Sequence, residues 1–250
     1  MTRFRSVALI GIALLVSTAA GPAAADGWKP AAFDRPASVK KIPATSSADP
    51  LPEVICTTYP DFTIREQGTD SPAPDAAKLL KSVGPKKQAC TREPASSEVP
   101  LQTEGFSFLG RKGQYLFFEA SDPNGAIAFM VLSAETGQQL YTDATKTGGI
   151  QAMSLEHDAL RLRYIRGFNG SCSILKDTNT CWQKLAKEGD FPAAIAGSAP
   201  PTTECAATYK KGKVPDDDPS IVTYEVALAL DAAGKAEIAS HGKIGCEPLP

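Results

Sequence analysis

Six cysteines constrain what this 250-residue chain can fold into more than any other feature of its sequence. They all follow an N-terminal segment that has the pattern of a secretory leader, and an even number of cysteines in that context is typical of a disulfide set. Six cysteines allow 15 pairings, which sequence alone does not separate. Simple nesting favours three local pairs, Cys56–Cys90, Cys172–Cys181 and Cys205–Cys246.

The segment GSCSILKDTNTCW, residues 170–182, leaves two alternatives to a disulfide between its cysteines. A redox pair would place a reactive thiolate at a helix N-terminus, usually in a C-x-x-C motif, and eight residues separate Cys172 from Cys181 here. A zinc site would need closely spaced cysteines or histidine partners, and neither His157 nor His241 is close to such a pair. The pattern therefore favours a structural disulfide.

Residues 1–25 are predicted to be a signal peptide. Arg3 and Arg5 precede an apolar run from Val7 to Ala20, and small residues follow up to a cleavage site near Ala25. The apolar run is short for a hydrocarbon core of about 30 Å, so we expect cleavage and no stable membrane insertion. The predicted location is the periplasm or the medium.

The charge of the chain argues against binding to nucleic acid. The full sequence has a formal net charge of −2, and loss of Arg3 and Arg5 with the leader would make it −4. Nucleic-acid binding needs a basic face that releases counterions from the phosphates. The same charge argues against docking on anionic lipid.

The distribution of proline predicts how the chain is organised. Residues 26–54 are rich in Pro and Ala and are expected to be an arm or linker before a globular region over 55–250. That region divides into a first disulfide-closed segment (55–100), a central meander (101–168) and a helix with a C-terminal hairpin (169–250). Prolines clustered over 192–219 indicate loops there.

Alternating apolar residues predict a mainly β fold. Short β-branched and aromatic runs separated by turn residues fill the centre of the chain, and Val222–Leu230 alternates strictly before a turn and a return strand. Two short helices are predicted, one over 74–85 and one beginning with a Thr180–Gln183 capping box and ending at Gly189. The fold class is therefore antiparallel meander or sandwich-like sheets with two short helices, stabilised by disulfides.

No sequence motif predicts a catalytic centre, a metal site or a cofactor. A serine hydrolase would need a histidine base; His157 lies in a predicted β-turn, and His241 lies at the end of the predicted C-terminal hairpin. Carboxylates distant in sequence can still meet in the fold, so a hydrolase acting through a carboxylate pair stays open. Candidate pairs at strand ends are Glu119 with Asp122 and Glu156 with Asp158.

Three arginines form the candidate binding site, Arg161, Arg163 and Arg166. Arg161 and Arg163 alternate with apolar residues, so on a strand they would share one face at about 7 Å spacing. Guanidinium groups bind carboxylates and phosphates well. We therefore predict an exported, non-enzymatic binding protein of the bacterial envelope, with a partner protein or an anionic envelope ligand. The alternative is a hydrolase of envelope or extracellular polymers.

Overall fold

The computed structural model describes residues 30–46, 51–68, 75–82, 90–93, 95–120 and 125–249. These residues form two antiparallel sheets and three helices, which confirms the predicted mainly β fold class. The predicted signal peptide, residues 1–25, lies outside the described residues. Within the described ranges, no helix is long and apolar enough to span a membrane.

Five strands between residues 38 and 100 form a sheet in which they lie side by side in sequence order. The strands are β1 (Ser38–Ile42), β2 (Val54–Thr58), β3 (Phe62–Gln67), β4 (Lys78–Lys81) and β5 (Val99–Pro100). Strand β1 belongs to the segment predicted as an arm, and it pairs with β2 so that Lys40 lies opposite Cys56.

The helix predicted over residues 74–85 is wrong for residues 75–82, the part of it that the structure describes. Residues Lys78–Lys81 form strand β4, which pairs with β3. Leu79 and Leu80 are both buried, so this short strand is covered on both faces. Adjacent apolar residues in so short a run fit either one side of a helix or a strand buried on both faces, and periodicity does not separate the two.

The remaining described strands form a seven-stranded antiparallel sheet in the order β12-β11-β10-β9-β8-β7-β6. Their bounds are β6 (Phe106–Lys112), β7 (Tyr115–Ala120), β8 (Ile127–Ser133), β9 (Gln139–Glu156), β10 (Ala159–Asn169), β11 (Ser220–Leu230) and β12 (Ala236–Pro248). The strands predicted for the centre and for the C-terminal hairpin thus belong to one sheet.

The seven-stranded sheet is strongly coiled. Strand β9 pairs with β8 up to Thr145 and with β10 from Thr145 onward, so its two parts have different neighbours. The Tyr115 hydroxyl of β7 lies 3.0 Å from the Leu230 carbonyl of β11, although four steps of the sheet separate these strands. Gly234, in the turn between β11 and β12, packs against Leu140 at the start of β9. The coiling therefore brings the C-terminal hairpin back over β9.

Helices α1 (Thr178–Glu188), α2 (Ala193–Ala196) and α3 (Thr202–Gly212) connect β10 to β11. The helix predicted near residue 180 is confirmed as α1, and its C-cap is Gly189 as predicted. The capping box is wrong, because the N-cap is Asp177 and its side chain makes no capping hydrogen bond. Helices α2 and α3 lie in the proline-rich segment predicted as loops. Each of the two helices has a proline at its N-cap. An N–H at that position would have no partner within the helix, so its absence in proline removes no hydrogen bond.

All three predicted disulfides are confirmed, with Cα–Cα distances of 5.9 Å for Cys56–Cys90, 5.9 Å for Cys172–Cys181 and 4.7 Å for Cys205–Cys246. The second pair joins the loop before α1 to the first turn of that helix, and the third joins α3 to β12. Disulfides of this kind persist in oxidising compartments, so they indicate an extracytoplasmic protein.

Two apolar cores lie on the two sides of the seven-stranded sheet. In β7, Tyr115 and Phe117 belong to the core shared with the helices, whereas Leu116 and Phe118 belong to the core shared with the five-stranded sheet. This division follows from the two-residue period of a strand. A strand that is apolar at every position must be covered on both sides, and here the helices cover one side and the small sheet the other.

A hydrogen bond links the two sheets, because Glu66 of β3 accepts from the backbone N–H of Phe108 on β6 at 2.7 Å. Burial raises the pKa of the Glu66 carboxyl, although the Phe108 hydrogen bond acts in the opposite direction. The folded protein therefore holds this proton more tightly than the unfolded chain does.

We expect Glu66→Gln to stabilise the protein at neutral pH and to have little effect at pH 4. A raised folded pKa means that Glu66 reduces stability progressively as pH rises from its ordinary value of 4.5 through the folded value. Glutamine keeps the acceptor for Phe108 without the charge. Urea unfolding at pH 4 and pH 7.5 measures the difference, with the exposed Glu237→Gln as control. Equal effects of Glu66→Gln at both pH values would contradict this prediction.

Candidate ligand pocket

The structure separates the three candidate arginines onto two faces of β10. Leu160, Leu162 and Tyr164 are buried in the core shared with the helices, on what we call the concave face of the sheet, and the odd-numbered positions between them point the other way. Arg161 and Arg163 therefore share the outer face, as their alternation predicts. Arg166 lies with Tyr164 on the concave face, so it does not converge with the other two.

On the outer face, each arginine has an acidic partner. Arg161 lies 3.4 Å from Glu156, and both side chains are about half exposed. Arg163 lies 3.0 Å from Glu225, the residue directly opposite Ile165 on the neighbouring strand. The exposed Arg161–Glu156 pair contributes little to stability, whereas the side chains of Arg163 and Glu225 are only 30% and 18% exposed. Binding of an anion by Arg161 and Arg163 stays a prediction.

On the concave face, Arg166 forms an ion pair with Asp143 of β9 at 2.7 Å. The Asp143 side chain is 9% exposed and that of Arg166 is 22% exposed, so this pair is much less solvated than the Arg161 pair. Burial would lower the pKa of Arg166, but the Asp143 carboxylate and the Tyr224 hydroxyl raise it above its ordinary value. Arg166 therefore stays charged, with Asp143 as its counter-ion.

The carboxylate of Asp143 is surrounded by donors. Its Oδ1 accepts from Arg166 Nε and from the backbone N–H of Ala144. Its Oδ2 lies 2.6 Å from the Tyr164 hydroxyl and 3.1 Å from the Tyr141 hydroxyl. A carboxylate has about four lone-pair positions, and four neighbouring groups are placed to use them. Asp143 thus holds the cluster together as its shared hydrogen-bond acceptor.

Three tyrosines complete this cluster. The hydroxyls of Tyr141 and Tyr164 lie 2.8 Å apart, and Tyr224 accepts a hydrogen bond from Arg166 Nη1. Burial raises the pKa of all three phenols, and the charge of Asp143 raises it further. The phenols therefore keep their protons and act as hydrogen-bond donors at any physiological pH.

The cluster forms one wall of a pocket of about 420 Å³. The pocket lies between the start of β9, strands β10 to β12 and the loop that joins α1 to α2. Tyr141, Arg166 and Tyr224 provide polar groups to it, and Ser240 of β12 provides another. Its apolar lining is Phe191, Pro192, Val226 and Ile238. Such a mixture of apolar walls and a few convergent polar groups is typical of small-molecule sites.

Comparison of the chain with protein-family models, with curated proteins and with solved structures gives no match.

A second and larger hollow, of about 590 Å³, lies between α3 and the irregular part of β12 around Gly242. Its charged residues include Glu204 and Lys243, which form an ion pair at 2.7 Å with Lys243 79% exposed. The hydrogen bond from Lys243 lowers the pKa of Glu204. Water already solvates this pair, so a ligand gains little by binding to it. The smaller pocket is therefore the better candidate for a ligand site.

The carboxylate pairs predicted from the sequence do not form a site in the described part of the chain. Glu156 is paired with Arg161 beside the β9–β10 turn, and Asp158 lies in that turn with a φ of 65°. Asp122 lies outside the described residues. Among the side chains that are described, no group of three or more His, Cys, Asp or Glu is placed to hold a metal ion.

Sequence reasoning missed Asp143, Tyr141, Tyr164 and Tyr224 as site residues. One signal was available, because Tyr164 and Tyr224 both occupy buried positions of strictly alternating strands, where a hydroxyl needs a polar partner. The identity of that partner depends on the path of β9. The register shifts that place Tyr164 and Arg166 beside β9 occur at two irregularities, which no alternation pattern specifies.

Proposed function

We propose that this chain is an exported, non-enzymatic binding protein of the bacterial envelope, cleaved after its leader near Ala25. The pocket beside the Asp143–Arg166 pair is its ligand site. We thus assign the binding role to Arg166, the third candidate arginine, and not to Arg161 and Arg163 on the outer face. The pocket is of the right size for a small molecule or for one side chain of a partner.

The observation that carries the proposal is the arrangement of Arg166. Its guanidinium is held in place by Asp143 at 2.7 Å and by the Tyr224 hydroxyl, yet its side chain keeps 22% of its surface exposed at the pocket. A charged group fixed by packing and by hydrogen bonds loses little conformational freedom when a ligand binds. Preorganisation of this kind favours affinity.

The hydrolase alternative is less well supported. A general base or nucleophile needs a carboxylate oxygen that is free to reach the substrate. Both oxygens of Asp143 already have donors within hydrogen-bond distance, and Asp190, the other carboxylate at this pocket, is exposed on the rim. Asp143 is therefore suited to positioning the groups around it, and Asp190 is solvated at the rim. Both are less suited to acid–base chemistry.

We expect the mature protein to retain a small-molecule adduct from a low-molecular-weight envelope extract, and Ser240→Phe to lose it. Phenylalanine at this position places a ring in the pocket, whereas Arg161→Gln/Arg163→Gln changes only the outer face. Native mass spectrometry measures the adduct, and circular dichroism checks that each variant is folded. The proposal fails if the native protein carries no adduct, or if Ser240→Phe keeps it while the double arginine variant loses it.

A further inference from the structure

Several hydrogen-bond donors at this pocket have no acceptor among the residues that the structure describes. Arg166 carries five N–H groups. Described residues accept from its Nε and Nη1, and none of them accepts from Nη2. The Tyr224 hydroxyl accepts from Arg166, and its own proton has no described acceptor. The Oγ of Ser240 is buried and has no hydrogen-bond partner among the described residues.

These donors lie close together on three neighbouring strands. Arg166 and Tyr224 are direct partners across β10 and β11, and Val226 and Ser240 are direct partners across β11 and β12. Tyr224 and Val226 share a face two residues apart, which is about 7 Å along a strand. Arg166, Tyr224 and Ser240 thus form a patch of donors that all line the same pocket.

From this patch we infer that the pocket takes a small monocarboxylic acid with an apolar body, and that Arg166, Tyr224 and Ser240 hold its carboxylate. The inference rests on the proposed function and names its ligand class. Arg166 can only donate, and the Tyr224 hydroxyl already accepts from Arg166, so both groups favour an acceptor, to which the Ser240 hydroxyl can also donate. A carboxylate brings two oxygens with about four lone-pair positions and no donor, and it forms charge-assisted bonds with a guanidinium.

The remaining lining of the pocket sets the orientation of the ligand. Asp190 lies exposed on the rim, and its charge contributes to the raised pKa of Tyr224 after burial and Asp143. A negative head group is therefore repelled from the rim and directed toward Arg166. The apolar body then lies against Phe191, Val226 and Ile238, of which Ile238 is 52% exposed.

The test compares acids with neutral analogues of the same shape. Isothermal titration calorimetry with hexanoate and 3-phenylpropionate, against hexanamide and 3-phenylpropionamide, measures the preference for the charged head group. We expect each acid to bind about tenfold or more tightly than its amide, because charge-assisted bonds are roughly twice as strong as neutral ones. Equal affinities for acid and amide would overturn the inference.

Variants then identify the residues that hold the head group. Arg166→Gln is expected to remove the acid-over-amide preference. If that variant fails to fold, Tyr224→Phe and Ser240→Ala give the same test with little change in volume, and each should weaken acid binding several-fold. Asp190→Asn should strengthen it, and Arg161→Gln/Arg163→Gln should leave it unchanged. An acid preference that persists in both Tyr224→Phe and Ser240→Ala at full affinity would contradict the assignment.

The two proposals fail in different ways. In the first case, an envelope extract yields an adduct that Ser240→Phe loses, but hexanoate and 3-phenylpropionate neither bind nor compete with that adduct. The pocket is then a site for another class of ligand, and the carboxylate inference is wrong. If these acids bind with the expected preference while the extract yields no adduct, the chemistry of the pocket stands and the envelope binding role is wrong.

Discussion

Removal of the Cys205–Cys246 disulfide is expected to lower the free energy of unfolding by about 4 kcal/mol. The two cysteines are 41 residues apart, so the crosslink excludes many conformations of the unfolded chain. In the folded state it joins α3 to β12, which lies at the edge of the seven-stranded sheet. Both cysteines are also buried, so alanine leaves a small cavity.

Urea unfolding of Cys205→Ala/Cys246→Ala measures this loss against the native protein under oxidising conditions. The matched control is Cys172→Ala/Cys181→Ala, which opens a crosslink between residues only nine positions apart and should cost about 3 kcal/mol. A smaller loss for the long crosslink than for the short one would contradict the account of how α3 and β12 are held.

Replacing Asp143 by leucine is expected to destabilise the protein by about 3–5 kcal/mol, because it leaves Arg166 charged without its counter-ion. The partial exposure of Arg166 places the expected value toward the lower end of this range. The hydroxyls of Tyr141 and Tyr164 also lose their shared acceptor. Substituting Arg166→Met as well should recover much of the lost stability, since the uncompensated charge is then gone.

A double-mutant cycle measures this coupling by urea unfolding of the native protein, Asp143→Leu, Arg166→Met and the double variant. Arg161→Met serves as the control for loss of an arginine at an exposed pair and should cost no more than about 1 kcal/mol. A cost below about 1 kcal/mol for Asp143→Leu would show that the Asp143–Arg166 pair is as weakly coupled as a surface pair.

Local pattern was enough to predict the disulfides and the strands of the large sheet. The three bonds join successive cysteines, the first with the second, the third with the fourth and the fifth with the sixth, so their pairing is predictable without knowledge of the fold. Strict alternation from Val222 to Leu230 predicted β11 and its buried face, and the structure buries Val222, Tyr224 and Val226 together. Both signals depend on residues close in sequence.

Elements that depend on distant packing were predicted poorly. The segment around Leu79 and Leu80 forms a strand because β3 and β5 lie on either side of it, and neither contact is visible in a local apolar pattern. Helix α3 lies where the clustered prolines predict loops, because Pro201 occupies the N-cap of the helix and does not interrupt it. Tertiary context decides such short segments.

The candidate site was predicted only in part for the same reason. The alternation of β10 correctly separated Arg161 and Arg163 from the buried residues between them, and it also places Arg166 on the opposite face, three residues after Arg163. Asp143 reaches Arg166 because β9 changes partner near Thr145 and the sheet coils. The sequence shows where the arginines point but not which residues surround them.

The most direct test of the central claim follows the arginine side chains by ¹⁵N NMR during titration with 3-phenylpropionate. Arg166→Lys assigns the Arg166 guanidinium signals by their disappearance. We expect the Arg166 side-chain N–H resonances to shift with saturating dependence on the acid and not on its amide, while those of Arg161 and Arg163 stay unchanged. Shifts confined to Arg161 and Arg163, with Arg166 unaffected, would contradict the account and place the anion site on the outer face of β10.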